Sequence, residues 1–86
     1  MIESKIQKSL IDELERNGFY VIKLSVTNKN GIPDIVALPK GCGAVFYEVK
    51  QKGKNPSKLQ EFRIKELNNH GINVYVYDGD IVNREV

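Results

Sequence analysis

Residues 31–50 read Gly31-Ile-Pro-Asp-Ile-Val-Ala-Leu-Pro-Lys-Gly-Cys-Gly-Ala-Val-Phe-Tyr-Glu-Val-Lys50, two apolar runs separated by a turn-forming segment. Asp34-Ile-Val-Ala-Leu38 is rich in branched residues and follows Pro33, whose missing N–H is tolerated at the start of a strand. Pro39-Lys-Gly-Cys-Gly43 is turn chemistry, and it stops that strand. Ala44 to Lys50 makes the next strand. Its period of two sends Ala44, Phe46, Glu48 and Lys50 to one face and Val45, Tyr47 and Val49 to the other. So short a connection predicts an antiparallel hairpin, which brings Asp34, aimed by the bend at Gly31-Ile-Pro33, opposite Glu48.

Working outward, residues 2–17 place Ile2, Ile6, Leu10, Ile11 and Leu14 at helical spacing and stop at Asn17-Gly18, a helix-ending pair. Phe19 to Val26 is branched, aromatic and too short for a stable helix, so it reads as a strand, with residues 27–31 as a loop. On the other side, Lys52-Gly-Lys-Asn-Pro56 is a basic loop. Ser57-Lys-Leu-Gln60 has capping-box spacing and opens a helix whose apolar residues are Leu59, Phe62, Ile64 and Leu67. Gly71 ends it. Ile72 to Tyr77 is a fourth long strand, Asp78-Gly79 a turn, and the last residues add a short strand or fray. The fold expected is α/β, an αβββαβ core with a mixed central sheet flanked by helices and a right-handed final crossover.

The chain has 86 residues, of which 41% are hydrophobic. That suits one domain over residues 1–86 and leaves no room for a second. A domain of this size buries only about 60% of its unfolded surface, so a metal or a second copy of the chain would stabilise it. Its one cysteine, Cys42, has no internal disulfide partner, and no Cys/His cluster has zinc spacing. The N-terminus enters an amphipathic pattern at once and no long apolar run follows, which predicts a soluble, cytoplasmic protein without signal peptide or membrane span. A formal charge of +2 decides nothing by its size.

Two carboxylates sit where folding alone would not place them. Glu48 shares a strand face with Ala44 and Phe46, and Glu3, at about 100° per residue, falls near the middle of the arc of Ile2, Ile6, Leu10 and Leu14. A carboxylate facing a core needs compensation, and a hard divalent cation held by several carboxylates supplies it. Asp34, Glu48 and Glu3 are therefore expected to converge on one pocket with Lys50. Phosphodiester hydrolysis asks for these residue types: carboxylates to hold a Lewis acid, and an ammonium to orient water or to stabilise developing charge.

The pattern Gly31-x-Pro33-Asp34, thirteen residues, then Glu48-x-Lys50 resembles the PD-(D/E)xK nuclease superfamily. With Glu3-Ser4 opening the first helix and Gln60 in the second, it looks like the standalone type of the virus-type replication-repair nuclease (VRR-NUC) branch. The resemblance implies a restriction-endonuclease-like core and a metal-dependent, structure-selective DNA endonuclease similar to Holliday junction resolvases, acting on branched or four-way DNA as a homodimer. It implies that Asp34, Glu48 and the Val49 carbonyl ligate Mg²⁺ or Mn²⁺, that Glu3 reaches the metal directly or through water, and that Lys50 positions the attacking water. No other small-molecule cofactor is implied, and a virus- or phage-encoded source is compatible with it. A module of the same fold that binds nucleic acid without cutting is the alternative, against which the intact acids and lysine speak; a small regulatory protein is a third.

Other residues carry weaker signals. Gln60 either joins the catalytic set or only closes the capping box. Lys50, Lys52, Lys54 and Lys58 place four positive charges around one loop, which suits phosphate contact or plain solvation. His70 reads as a favourable charge at a helix C-terminus. Tyr47, Tyr75 and Tyr77 read by default as packing residues, with base stacking or a dimer contact, the latter at Tyr75 or Tyr77, as alternatives.

Overall fold

The computed structural model describes residues 2–41 and 43–82. Cys42 and residues 83–86, with the readings placed on them, lie outside the described residues. The elements are α1 (Glu3–Arg16), β1 (Tyr20–Lys23), β2 (Ile35–Leu38), β3 (Val45–Val49), α2 (Lys58–Asn69), β4 (Asn73–Tyr77) and β5 (Ile81–Val82). Both helices end as their sequences predict. The Phe19 N–H donates to the Leu14 carbonyl and Gly18 N–H to that of Glu15; Ile72 and Gly71 repeat the pair on Leu67 and Asn68. These are the two backbone bonds that satisfy the orphan carbonyls of a helix end.

One five-stranded sheet runs β1-β2-β3-β4-β5. Only β3 and β4 are parallel, because α2 carries the chain across between them; every other pair is antiparallel. In the hairpin, Ile35 faces Tyr47 and Ala37 faces Val45. The odd-numbered residues of β3 accordingly join Ile6, Leu10, Leu14, Ile35 and Ala37 in a core beneath α1. Each large aliphatic side chain so buried contributes about 1.5–3 kcal/mol. The opposite face takes α2, which lies over β4 and buries Ile64. The sequence-based architecture, a mixed sheet between helices, is the one observed.

Boundaries and exposures differ in four places. The first strand, expected over residues 19–26, stops at Lys23; the Leu24 N–H adds one last bond to the Asp34 carbonyl, and beyond it β2's partner position is Pro33, which has no N–H to offer. Leu59 and Phe62 are exposed, since α2 turns them past the sheet and only Ile64 is fully buried. Ile2 is exposed, so the buried stripe of α1 begins at Ile6. Tyr75 and Tyr77 are half-buried against the α1 core, and the Tyr47 and Tyr75 rings lie 5.7 Å apart. They are packing residues, and the exposed apolar surface is elsewhere, including Tyr20 and Ile22 on edge strand β1 and Phe62 on α2.

Candidate active site

Extending the β2–β3 register by one pair sets Asp34 opposite Glu48, at the end where the strands part. Asp34 is held there by its side chain. Its Oδ2 accepts the Val49 N–H at 2.9 Å, a charge-assisted bond of about 1.5–3 kcal/mol that also pins β3 to the bend before β2. Glu48 is 1% exposed. Its Oε2 receives the Gln60 Nε2–H at 3.1 Å and lies 4.0 Å from Lys50 Nζ. Its Oε1 is buried with no partner.

Burial pushes the Glu48 carboxyl up to about 8; the neighbouring negative charge of Asp34 adds to this, Lys50 opposes it, and Glu3 adds a further small push. The distant Lys50 loses to desolvation because a separation of 4.0 Å is too long for a direct ion-paired hydrogen bond. Asp34 and Glu48 also stand close enough to share a proton, a hydrogen bond that exists only while one of them is protonated. Two adjacent carboxylates, one of them buried with an unpartnered oxygen, fit a hard divalent cation: it takes oxygen ligands and replaces the proton that otherwise relieves the charge.

Glu3, at the first position of α1, is half-buried and within electrostatic reach of Glu48. It does not complete a cage: among the described residues, no three acidic, His or Cys side chains stand at metal-holding spacing. Asp34, Glu48 and Lys50 are thus brought together, with Glu3 in an outer position. Gln60 closes the capping box and also reaches Glu48. Its Oε1 accepts the Ser57 N–H at 2.8 Å and its backbone N–H donates to Ser57 Oγ, closing the capping box, while its Nε2 remains for Glu48. Lys52, Lys54 and Lys58 are exposed on and just after the loop that leaves β3, and Lys52 pairs with Asp80 at 3.6 Å. His70 is the C-cap of α2, its Nδ1 2.9 Å from the Glu66 carbonyl.

The sequence reading missed Arg63. Its Nε donates to the Asn30 carbonyl at 2.7 Å and its Nη1 bonds Glu66 at 2.8 Å, so α2 grips the loop that delivers Asp34. Gly31 is part of the same grip. It has φ +83°, and a Cβ there would lie 2.7 Å from Leu59 Cγ, so both conformation and space call for glycine. The glycine was visible before Pro33; the arginine, 33 positions from its acceptor, left no local pattern.

A profile of the family described as archaeal Holliday junction resolvase (Hjc) matches residues 2–75. The chain belongs to this family. The matched span runs from α1 through the middle of β4, so Glu3, Asp34, Glu48, Lys50 and Gln60 all fall inside it. A solved structure described as a VRR_NUC domain superposes with a TM-score of 0.76 at 33% identity, over 86% of this chain and 81% of that one. A protein of Acyrthosiphon pisum secondary endosymbiont phage 1, named "Putative nuclease p44", is 36% identical over 59 residues, 67% of this chain. The match spans 62% of that relative's length. Hjc-family membership and the VRR_NUC neighbour agree with the PD-(D/E)xK resemblance read from the sequence. No helix among the described residues is long and apolar enough to cross a membrane.

Proposed function

We propose that this chain is a divalent-metal-dependent DNA endonuclease of resolvase type, with Asp34, Glu48 and Lys50 at its active site. The observation that carries the reading is the buried Glu48 carboxyl set beside Asp34 and within 4.0 Å of Lys50. A fold does not need such a cluster, and its burial is costly unless something binds there. Asp34, Glu48 and the Val49 carbonyl would hold Mg²⁺ or Mn²⁺, with Glu3 acting through water. The cation would supply charge neutralisation for the scissile phosphate and acidify water at neutral pH.

The protein's own groups do the rest. The Val49 N–H fixes the Asp34 carboxylate, and Gln60 fixes one oxygen of Glu48, so both carboxyl groups are preorganised before substrate arrives. Lys50, largely sheltered, holds its ammonium 4.0 Å from Glu48 Oε2, beyond direct hydrogen-bond length, where it would orient the attacking water or meet charge developing on the phosphate. Lys52, Lys54 and Lys58 line the approach and attract the DNA backbone irrespective of sequence.

Four-way junction preference and homodimerisation belong to the same proposal. A single small subunit offers one site, whereas a twofold pair offers two related by the symmetry of a junction. Tyr20 at 70%, Ile22 at 41% and Phe62 at 54% exposure are apolar surface that a second copy would cover. The test is cleavage of labelled four-way junction, flap, duplex and single strand with Mg²⁺, Mn²⁺ or EDTA. Paired cuts in opposing strands of the junction, abolished by EDTA, with a dimer in sedimentation, are expected. Equal cutting of linear duplex by a monomer removes the resolvase part, and no cutting of any substrate with either metal removes the nuclease.

A further inference from the structure

Asp34 stands at the end of the connection between β1 and β2, residues 24–34. A connection of that length has many conformations open to it and has to be fixed from outside. Its two ends are joined by the Leu24 N–H, which donates to the Asp34 carbonyl at 2.8 Å, and inside it Thr27 Oγ1 donates to the Lys29 carbonyl. Among the described residues, one hydrogen bond joins residues 25–33 to another element, and it is the bond from Arg63 Nε to the Asn30 carbonyl at 2.7 Å. Arg63 is itself held, by Glu66 at 2.8 Å, and its side chain is 18% exposed. Beside Asn30, the Gly31 backbone lies so near α2 that a Cβ there would come 2.7 Å from Leu59 Cγ and 3.4 Å from Arg63 Cγ. From that seat to Asp34 the chain has little freedom. Pro33 has a fixed φ and is fully buried, and Ile32 before it is kept out of the helical region. A displacement at Asn30 is thus passed on to Asp34. One turn earlier on the same helix, Gln60 holds Glu48 Oε2 at 3.1 Å, and residues three apart are neighbours on a helix surface. Both carboxyl groups therefore take their positions from one stretch of α2, Glu48 directly and Asp34 through residues 30–33.

We propose that Arg63 is a positioning residue for Asp34, its bond to the Asn30 carbonyl setting where the Asp34 carboxylate stands against Glu48 and so the affinity of the pair for a divalent cation. This rests on the metal-nuclease reading of that site. Arginine suits the task because its planar fork donates to Asn30 through Nε and to Glu66 through Nη1 at once. A lysine ammonium is a single point donor on a flexible stem, and a methionine thioether is no donor at all. Asp34 also carries a reporter of its own position. Its Oδ2 accepts the Val49 N–H at 2.9 Å, so that amide loses protection when Asp34 moves, with or without metal. Partners that orient the ligands of a cation typically alter its affinity by about 10–100-fold.

The experiment compares the wild type, Arg63→Lys and Arg63→Met by hydrogen exchange of the Val49 amide in the metal-free protein, by urea unfolding, and by calorimetric titration of Mn²⁺ into the DNA-free protein. Arg63→Met is expected to speed Val49 exchange by more than its change in global stability accounts for, and to weaken Mn²⁺ binding by about 10-fold. Arg63→Lys is expected to fall between the wild type and Arg63→Met in both. An arginine with a merely structural role would lower the urea midpoint and leave the Val49 amide and the Mn²⁺ affinity of the folded protein unchanged. That result overturns the inference and leaves the nuclease reading intact. If Arg63→Met does not fold, Arg63→Lys with wild-type Val49 exchange and Mn²⁺ binding overturns it equally. A wild type that takes up no Mn²⁺ overturns both.

Discussion

The two faces of the sheet are built to different ends. Under α1, Ile6, Leu10 and Leu14 close over Ile35, Ala37, Tyr47 and Val49 in a core without a buried charge. On the α2 side, β3 presents Glu48 to Gln60, while Tyr20 and Ile22 of β1 and Phe62 of α2 are left to solvent. One strand, β3, serves both through its alternation: Val45, Tyr47 and Val49 face the core under α1, and Glu48 among them faces the proposed site. A small domain can therefore carry a destabilising site if the opposite face of the very same strand supplies the apolar contacts that offset it.

If the faces are separable, substitutions should sort by face. The largest effect is on the site side. Asp34→Ala or Glu48→Ala should lower cleavage by orders of magnitude and weaken Mn²⁺ binding, while Lys50→Ala should lower the rate comparably with metal binding nearly intact; kinetics and titration on each variant would check this. Cleavage by either acid variant at the wild-type rate would sink the assignment. On the other face, Leu10→Ala should cost about 2–5 kcal/mol in urea unfolding, with activity per folded molecule unchanged. Loss of activity without loss of stability there would mean that the faces are coupled.

A third effect crosses from site to stability. The folded state holds the Glu48 proton up to about 8 whereas the unfolded chain releases it near 4.5. The unfolded state therefore binds fewer protons over that window, and the Glu48 contribution makes the metal-free protein less stable as pH rises from about 4.5 to about 8, by an amount on the order of a few kcal/mol. Glu48→Gln should flatten this slope in EDTA. A metal-free wild type that grows steadily more stable across the same window, with Glu48→Gln doing likewise, would contradict a buried acid. The smallest effect is at the rim: neutralising Lys52, Lys54 and Lys58 should reduce the slope of log affinity against log salt by up to about 0.9 per lost duplex phosphate contact. An unchanged slope would make those lysines solvated surface only.

How much of this was legible follows from the range of each interaction. Asp34 and Glu48 could be paired from sequence because a tight hairpin leaves its strands little freedom of register, and the periodicity of two then fixed which side chains share a face. The ends of both helices were legible because Asn17-Gly18, Ser57-x-x-Gln60 and Gly71 act within a few residues of themselves. Leu59 and Phe62 were misjudged because a helical period says which residues share a stripe and not how far the sheet extends beneath it. Arg63 on the Asn30 carbonyl exists only once α2 is docked. Nothing local anticipates it.

Position 60 shows what a shared atom group does to the range of side chains a site tolerates. The Ser57 N–H asks for an acceptor and Glu48 Oε2 asks for a donor, and one amide answers both. Glutamate would accept from Ser57 but turn a second anion toward Glu48; lysine would donate but could not receive; asparagine falls a methylene short of the two. Glutamine is left as the one ordinary residue that satisfies the helix and the acid together. Drift at this position is thus penalised twice over, and starting α2 and steadying Glu48 are a single heritable trait.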